Sequence, residues 1–419
     1  MGTLSLKPLS VRVREALGSF SLSDVGWLAV FNLLLFQAPI QSATGFSYID
    51  EGATLIAVVR YASSCVRRCS GGQRTERYAR SGFVFLGGVV AIGLISNLFS
   101  GVGVSVSPVM VDVFTCIKFF LALTAFTVVF QDKKSLFKAV EFECKVAMIV
   151  LFLFGVLNLF VQVGDFGTDP RYGFRASFRF VFGHPESLVF VCVGIVLILF
   201  RNREGNTKWI IMNLVVICLS LRSKGIAFAA IALLLLLTWG HRGRLSFVHV
   251  SAALLAALAI GWDQYQYYYQ STGFARNELT RVAVQIANRF FPLGSGFATY
   301  GSYVTSNPSY YSPLYYEYGL STVQGLEPGN AAFLSDTFWP IILGQFGWLG
   351  FVLFLLAIGF LAAWVYERAS FGNQRLAVVL CFAFLLISST AESAFFHPNA
   401  IFLSFCLALL LMKETADFK

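Results

Sequence analysis

Long runs of apolar residues, separated by short polar gaps, dominate the pattern along the chain. Twelve of these runs are predicted to be helices that cross a membrane. Their approximate ranges are 25–40, 49–63, 82–99, 109–130, 146–163, 187–200, 209–221, 225–239, 247–262, 337–365, 376–390 and 400–412. The pattern therefore predicts an all-α polytopic membrane protein with about twelve transmembrane helices.

The composition supports this class of protein. Of the 419 residues, 57% are hydrophobic and only 13% are charged, whereas about a quarter of the residues in a soluble domain are charged. The formal net charge is +9. In a membrane protein such an excess of Lys and Arg marks cytoplasmic loops, so we do not interpret it as a nucleic-acid-binding surface.

Lys and Arg are distributed unevenly between the two sides that the twelve runs define. Apart from Lys118 within a run, most fall at the termini and in alternate gaps. The cations on the other side are Arg171, Arg175, Arg179, Arg222, Lys224, Arg276, Arg281 and Arg289. The positive-inside rule therefore places both termini in the cytoplasm. If 209–239 were one helix rather than two, every later segment would change sides.

This topology divides the chain into five parts. Residues 1–24 form a cytoplasmic segment and 25–262 carry the first nine transmembrane helices. A large periplasmic loop, 263–336, precedes helices ten to twelve in 337–412, and 413–419 form a cytoplasmic tail.

Arg222 and Lys224 interrupt the apolar sequence between the seventh and eighth predicted helices. The seventh, 209–221, has 13 residues and spans about 20 Å, less than the roughly 30 Å of a hydrocarbon core. The two cations are therefore either an interfacial turn that snorkels outward or an anion site recessed in the outer leaflet.

The periplasmic loop is rich in tyrosine and contains a cationic helix. Tyrosine suits the apolar faces and hydroxyl edges of a sugar, although the same residues could pack an aromatic loop. Within the loop, 276–291 is predicted to be helical, with Arg281 and Arg289 on a different face from its apolar stripe. Tyr300 lies in the Gly-rich turn PLGSGFATYGSY, which could approach a ligand closely.

A second outer loop, 164–186, holds further candidate anion ligands. Arg175 and Arg179 are four residues apart, and His184 precedes Pro185 at a predicted helix start. His397 precedes Pro398 in the same way. These are either ordinary helix starts or N-termini that supply amide donors to an anion.

Metal and disulfide chemistry are not predicted. The eight cysteines lie in predicted helices or on the basic side, and Cys65 and Cys69 lack a second pair of ligands. The outer loops have no Asp-x-Asp pair and no histidine cluster.

Asp336, where the loop re-enters the membrane, could act as a general base or cap a helix. Lys118 and Asp112 are a candidate buried ion pair with a structural role.

Several stretches, in their order along 145–412, resemble the O-antigen polymerase and ligase superfamily of bacterial inner membranes. They are RASFRFVFGHPESL, SLRSKGIAF, RFFPLGSGFATYGS, YSPLYYEYGLS, FLSDTFWPIILGQFGWLG and AESAFFHPNAI. The ligase branch has a His-Asn pair before the tenth helix, where this chain has Leu334-Ser335-Asp336. The resemblance therefore favours a polymerase over a ligase.

The resemblance implies a GT-C-like fold and a metal-independent glycosyltransferase without a cofactor. It would move a growing glycan from undecaprenyl diphosphate onto a lipid-linked repeat unit at the periplasmic face, with a flippase and a chain-length regulator as partners. Arg222 matches the family's helix-end arginine, and Arg276, Arg281 and Arg289 include its loop arginines. The expected catalytic residues are Arg222, Asp336 and Arg281. The expected substrate-binding residues are Lys224, Arg175, Arg179, His184, Arg276, Arg289 and Tyr300. A lipid-linked oligosaccharide transporter is the competing class.

Overall fold

A computed structural model describes residues 20–65, 73–238, 273–370 and 372–413, together with residues 262 and 266. These residues are mostly helical. The N-terminal helices are α1 (Leu22–Leu35), α2 (Gln37–Thr44), α3 (Ile49–Cys65), α4 (Gln73–Phe99), α5 (Val106–Val129) and α6 (Lys134–Phe160). The short strands β1 (Gly167–Thr168) and β2 (Ser177–Phe178) pair antiparallel. The later helices are α7 (Pro185–Leu199), α8 (Arg203–Leu219), α9 (Ser223–Thr238), α10 (Ala275–Arg289), α11 (Pro313–Glu317), α12 (Trp339–Arg368), α13 (Gly372–Ser388) and α14 (Pro398–Leu410).

Several of these helices have the length and apolar composition of membrane spans. Among the described residues, four stretches qualify: Glu76–Phe99, Val106–Val129, Pro185–Leu219 and Trp339–Arg368. A fifth is added if α1 and α2, which meet at a bend of 69°, count as one span. The molecule is thus a helical protein consistent with the all-α membrane class. Most of the predicted ninth helix, 247–262, lies outside the described residues.

The stretch Pro185–Leu219 folds back on itself rather than running straight. The helix breaks at Phe200–Asn202, and His184, just before α7, lies 3.3 Å from Arg222, just after α8. A straight helix of this length would separate its ends by about 50 Å. α7 and α8 therefore form an antiparallel hairpin.

The predicted break between the seventh and eighth helices is confirmed. α8 ends at Leu219 and α9 starts at Ser223. Between them Leu221 has a positive φ of 52°, a conformation that an L-residue inside an α-helix does not adopt. The chain therefore reverses here, and Arg222 lies in the reversal.

The hairpin gives the bundle two distinct ends. At the end of α7, Arg201 donates to the carbonyl of Met412 (3.1 Å), and the Lys413 amide donates to the Gln131 carbonyl (3.0 Å). The start of α7 lies about 22 Å away, beside Arg222 and the start of α9. α14 is buried along almost its whole length and packs on α5 and α7. Cations predicted on opposite sides of the membrane thus lie at opposite ends.

α12 contains a break that the Gly-rich turn fills. Gly347 has φ 63° and ψ −169°, which interrupts the helix. The carbonyls of Gly344 and Gln345 accept from the amides of Ser295 (3.0 Å) and Gly296 (2.9 Å). The turn after α10 is therefore built into α12.

Asp112 of α5 holds the same turn from the other side. Its carboxylate accepts from the Ala298 amide (2.7 Å), the Ser302 hydroxyl (2.7 Å) and the Gln345 amide nitrogen (2.8 Å). These three donors satisfy a carboxylate that is only 2% exposed.

The predicted pairing of Lys118 with Asp112 is wrong. Lys118 instead pairs with Asp50 (2.5 Å) and Glu51 (3.2 Å) at the start of α3. Residues six apart do not share a helix face, because neighbours on a face are three or four apart. Lys118 and Asp112 therefore point to different neighbours.

Replacing Gly347 with alanine is expected to lower the free energy of unfolding by at least about 2 kcal/mol. An added Cβ would lie 2.2 Å from the carbonyl oxygen of Leu293, and the positive φ is unfavourable for alanine. Unfolding of the purified protein by SDS titration measures the effect. Gly359→Ala in the same helix is the control, because nothing lies within 4 Å of its Cβ position; equal stability of both variants would contradict the prediction.

Candidate functional site

A buried lysine held between two carboxylates forms the centre of the candidate site. The Nζ atom of Lys224 lies 2.7 Å from Oε1 of Glu186 and 2.6 Å from Oε1 of Glu392. The side chains of Lys224 and Glu392 are each 8% exposed, and that of Glu186 is 25% exposed. We call Glu186, Lys224 and Glu392 the Lys224 cluster.

Local sequence explains why these three side chains meet. His184, Pro185 and Glu186 occupy the cap and first turn of α7, where an acid is stabilised by the helix dipole. Lys224 lies in the first turn of α9, where the same dipole disfavours a cation. The two carboxylates compensate for that cost and for the burial of the ammonium group.

Arg222 and His184 extend the cluster toward the exposed side. Nη2 of Arg222 lies 3.3 Å from Nε2 of His184, and Nδ1 of His184 accepts from the Glu186 amide (3.3 Å). The His184 side chain is 53% exposed. Partial burial lowers the pKa of His184, and so do the positive charges of Arg222 and Lys224, while Glu186 opposes them. The imidazole is therefore neutral at pH 7.

Arg276 and Asp336 form a second ion pair next to the cluster. Nη2 of Arg276 donates to Oδ2 of Asp336 (3.0 Å) and to the carbonyl of Ala391 (3.3 Å), the residue before Glu392. Burial raises the pKa of Asp336, while Arg276 opposes the rise; Glu186 and Lys224 also act on this carboxyl. The two groups of charges are therefore within electrostatic reach of each other.

Glu392 is the most deeply buried carboxyl of the site. It lies in the connection between α13 and α14, where its amide donates to the Ser388 carbonyl (3.0 Å). Burial raises the pKa of Glu392 to about 7, with Lys224 opposing the rise and Glu186 adding to it. Burial therefore favours the protonated form of Glu392, whereas its pairing with Lys224 favours the carboxylate.

The structure brings together five of the residues predicted from sequence. These are His184, Arg222, Lys224, Arg276 and Asp336. They come from the starts of α7, α9 and α10 and from the segment before α12. Sequence positions up to 152 residues apart thus meet at one end of the bundle.

The other predicted site residues have different surroundings. Arg175 donates to the Asn158 carbonyl (3.0 Å). Arg179 pairs with Asp165 and donates to the Gly183 carbonyl (2.7 Å), so it steadies the segment that leads to His184. Both therefore support the loop before α7.

Arg281, Arg289 and Tyr300 belong to the packing of the large loop. The predicted helix is confirmed as α10, on which Arg281 pairs with Glu278 and Arg289 with Glu317. Both arginines are about half exposed. Tyr300 is fully buried and donates its hydroxyl to the Leu279 carbonyl. Tyr265 and Tyr267–Tyr269 lie outside the described residues.

Glu186 and Glu392 were not predicted as site residues, although the predicted topology places both acids at the outer face of the membrane. A usable signal was available, because a buried lysine beside a helix start requires a carboxylate partner. The sequence does not show which of the outer acids supplies it. Comparison of the chain with protein-family models and with curated proteins gives no match.

Proposed function

We propose that this protein is a membrane glycosyltransferase of the O-antigen polymerase type, located in the bacterial inner membrane. It would transfer a growing glycan from undecaprenyl diphosphate onto a lipid-linked repeat unit. The observation that carries the proposal is the convergence of Arg222, Lys224 and Arg276 with His184 and Asp336 at one end of the helical bundle. Two arginines and a neutral imidazole suit a diphosphate, and a carboxylate suits proton transfer.

The donor diphosphate is the leaving group of this reaction. Negative charge grows on it as the glycosidic bond to C1 of the donor sugar breaks. Arg222 lies in the chain reversal between α8 and α9, where its guanidinium can bind phosphoryl oxygens in a bidentate manner. Behind it, Glu186 and Glu392 neutralise Lys224 and hold it in place, so the positive charge that faces the diphosphate is that of Arg222.

Asp336 is the best candidate for the general base. Its side chain is 34% exposed, so an acceptor hydroxyl can reach it, and its pKa is raised mainly by burial. A raised pKa improves proton abstraction at neutral pH. Arg276, bonded to Oδ2, orients the carboxylate and favours its ionised form.

The large loop offers aromatic surface for the acceptor glycan. Tyr303 is 73% exposed and Tyr316 is 59% exposed, on the segment between α10 and α12. Such rings stack on the apolar faces of sugars and donate from their hydroxyl groups.

The proposed topology keeps twelve spans, with both termini in the cytoplasm and the site at the periplasmic face. Its support is that cations assigned to the cytoplasmic side and cations assigned to the periplasmic side lie at opposite ends of the bundle. Arg201 and Lys413 lie at one end, while Arg222, Lys224 and Arg276 lie at the other.

One observation favours a transporter as the second candidate. Lys118 lies in the middle of α5 and is buried against Asp50 and Glu51. Ionisable groups deep within a helical bundle are typical of transport pathways. A flippase for lipid-linked oligosaccharides would use such a group for proton coupling.

Cells that lack the protein distinguish a polymerase from a flippase. We expect cells without the protein to accumulate single repeat units outside the cytoplasm, on the carrier or on surface lipid, and purified protein in liposomes to convert synthetic lipid-linked units into polymer. Repeat units trapped on the cytoplasmic leaflet, with no polymer formed by the purified protein, would instead establish a flippase.

A further inference from the structure

Three ionisable side chains meet near the middle of α5, away from the candidate site. Nζ of Lys118 lies 2.5 Å from Oδ2 of Asp50 and 3.2 Å from Oε1 of Glu51. Lys118 comes twelve residues after the start of α5 and eleven before its end, so its Cα lies about 18 Å and 16 Å from the two ends. Lys118 and Asp50 are 3% and 1% exposed, whereas Glu51 is 27% exposed. We call these three residues the Lys118 trio.

The Lys118 trio has one cation for two acids. With both carboxyl groups ionised, it would bury one negative charge in excess. The dipole at the start of α3 favours carboxylates, but by less than the burial of an uncompensated ion costs. A buried acid in this position takes up a proton instead. Lys118 keeps its own proton, because a neutral amine would leave both acids without a counter-charge.

The helices packed on α3 supply no second cation. These are α1, α5 and α14, and Lys118 is the only Lys or Arg in the three. On α3 itself, Arg60 lies ten residues after Asp50, about 15 Å further along the helix. The charges of Lys118 and Asp50 also reach His397, which precedes α14, but burial lowers the pKa of His397 to about 4 and its imidazole is neutral. The missing positive charge is therefore a proton.

Each carboxyl group also has one oxygen without a donor. Oδ1 of Asp50 and Oε2 of Glu51 are buried, and neither has a hydrogen-bond partner within the described part of the chain. The two side chains nevertheless lie within hydrogen-bonding distance of each other. Two carboxylates cannot bond, because both only accept, whereas a protonated carboxyl group donates. One proton on the pair therefore supplies the missing hydrogen bond.

We propose that the Lys118 trio is a proton-binding site, in which Asp50 and Glu51 share one exchangeable proton beside a charged Lys118. Asp50 is the carboxylate, because it is more buried and closer to the ammonium group. Glu51 carries the proton at neutral pH. Release breaks its O–H bond, leaves the electron pair on the Glu51 carboxylate and passes the proton to water.

The exposed side of the Lys118 trio faces the periplasm in the proposed topology. A helical lysine side chain points toward the start of its helix, and Asp112, near the start of α5, holds the turn of the periplasmic loop. α1 bends by 69° into α2, and every residue from 41 to 48 is exposed. Glu51 follows this exposed segment closely along the chain, so we expect its proton to exchange with the outer solution.

The test is chemical labelling of the full-length protein in lipid nanodiscs with dicyclohexylcarbodiimide. This apolar reagent adds to protonated carboxyl groups and not to carboxylates, and mass spectrometry of peptides measures the adduct at each residue. At pH 7 we expect an adduct on Glu51 that is lost as the pH of the medium is raised. Glu141 is the matched control: it is 18% exposed and pairs with a cation of its own, Lys145 (2.7 Å), so it should stay ionised and unlabelled.

Asp50→Asn tests whether the two acids share the proton. It removes one acid and keeps the shape of the side chain, so Glu51 becomes the sole counter-charge of Lys118 and must ionise. We expect labelling of Glu51 to fall by at least about tenfold, because a like charge this close changes the protonation equilibrium of a carboxyl group by that factor or more. A Glu51 that reacts merely because it is accessible would be labelled equally in this variant.

Infrared spectroscopy gives a second readout that does not require Asp50→Asn to fold. Glu51→Gln is a neutral isostere of the protonated side chain, so the fold should tolerate it. The difference spectrum between wild type and Glu51→Gln at pH 7 should contain the C=O stretch of a protonated carboxyl group. In spheroplasts, which expose the periplasmic face, raising the external pH alone should suppress labelling of Glu51.

Three results would overturn the inference: equal labelling of Glu51 and Glu141, undiminished labelling of Glu51 in a folded Asp50→Asn variant, or a difference spectrum without the C=O stretch. Weaker labelling in sodium chloride than in potassium chloride would also overturn it, since a sodium ion would then occupy the pair in place of the proton. Labelling requires no glycan substrate, so its outcome is independent of whether the protein makes polymer.

Discussion

Replacing Arg222 with alanine is expected to lower the rate of polymer formation by a hundredfold to a thousandfold. Removing one preorganised donor to a developing negative charge costs about 3–4 kcal/mol of barrier. Arg222 lies in a chain reversal outside α8 and α9 and is partly exposed, so the fold should tolerate the change. The initial rate with synthetic lipid-linked repeat units in proteoliposomes measures the effect.

Lys208→Ala provides the charge-matched control for this experiment. Lys208 lies on the same hairpin, near the opposite end of α8, where its ammonium packs on the Trp209 ring. Its removal should change the rate by less than about twofold, since it lies a helix length from the site. A polymerisation rate for Arg222→Ala equal to that of Lys208→Ala would exclude Arg222 from charge stabilisation.

The sequence predicted the helices well because lipid-facing and core-facing positions are both apolar. It also predicted the reversal at Arg222, since two cations within an apolar region are costly unless the chain leaves the membrane there. α10 was predicted from its amphipathic pattern: Leu279, Val282 and Ile286 are buried, whereas Arg281 and Arg289 are exposed. These signals come from residues close together along the chain, so a single sequence is enough to detect them.

The pairing of distant charges could not be predicted in the same way. Lys224 has two carboxylate partners, Glu186 and Glu392, which are 38 and 168 residues away along the chain. On charge alone, any Asp or Glu at the predicted outer face could have paired with Lys224. Lys118 was assigned a partner on its own helix, but burial and the approach of α3 gave it Asp50 and Glu51.

The Gly-rich turn shows a second limit of local patterns. Gly294 was consistent with close approach of a ligand, yet its Cβ position lies 2.3 Å from the Gln345 carbonyl oxygen. The turn therefore uses its small residues to enter a break in α12. That break depends on Gly347, 53 residues further along the chain.

Replacing Lys224 with methionine is expected to destabilise the protein by about 3–5 kcal/mol, the cost of breaking a buried ion pair by removing one partner. Methionine keeps the apolar length of the side chain but leaves Glu186 and Glu392 facing each other. At least one carboxylate would then be buried without a counter-charge or would take up a proton. Unfolding in SDS at pH 7 measures the loss.

Glu392→Gln separates the effect of charge from that of packing. It leaves Lys224 paired with one carboxylate, Glu186, so we expect a smaller loss of stability at pH 7 than in Lys224→Met. Because the pKa of Glu392 is raised from 4.5 to about 7, the folded state binds this proton more tightly than the unfolded state. The contribution of Glu392 to stability therefore falls as the pH rises from about 4.5 to about 7, and Glu392→Gln should remove that part of the slope.

The double variant Lys224→Met/Glu392→Gln completes the cycle. It should recover at least about 1 kcal/mol of the loss in Lys224→Met, because the surviving Glu186 is 25% exposed and no longer faces a second carboxylate. If Lys224→Met and the double variant were equally stable, repulsion between the two carboxylates would not be the source of the loss. If Lys224→Met were as stable as wild type, Lys224 would not be the counter-charge that holds the starts of α7 and α9 to the connection before α14.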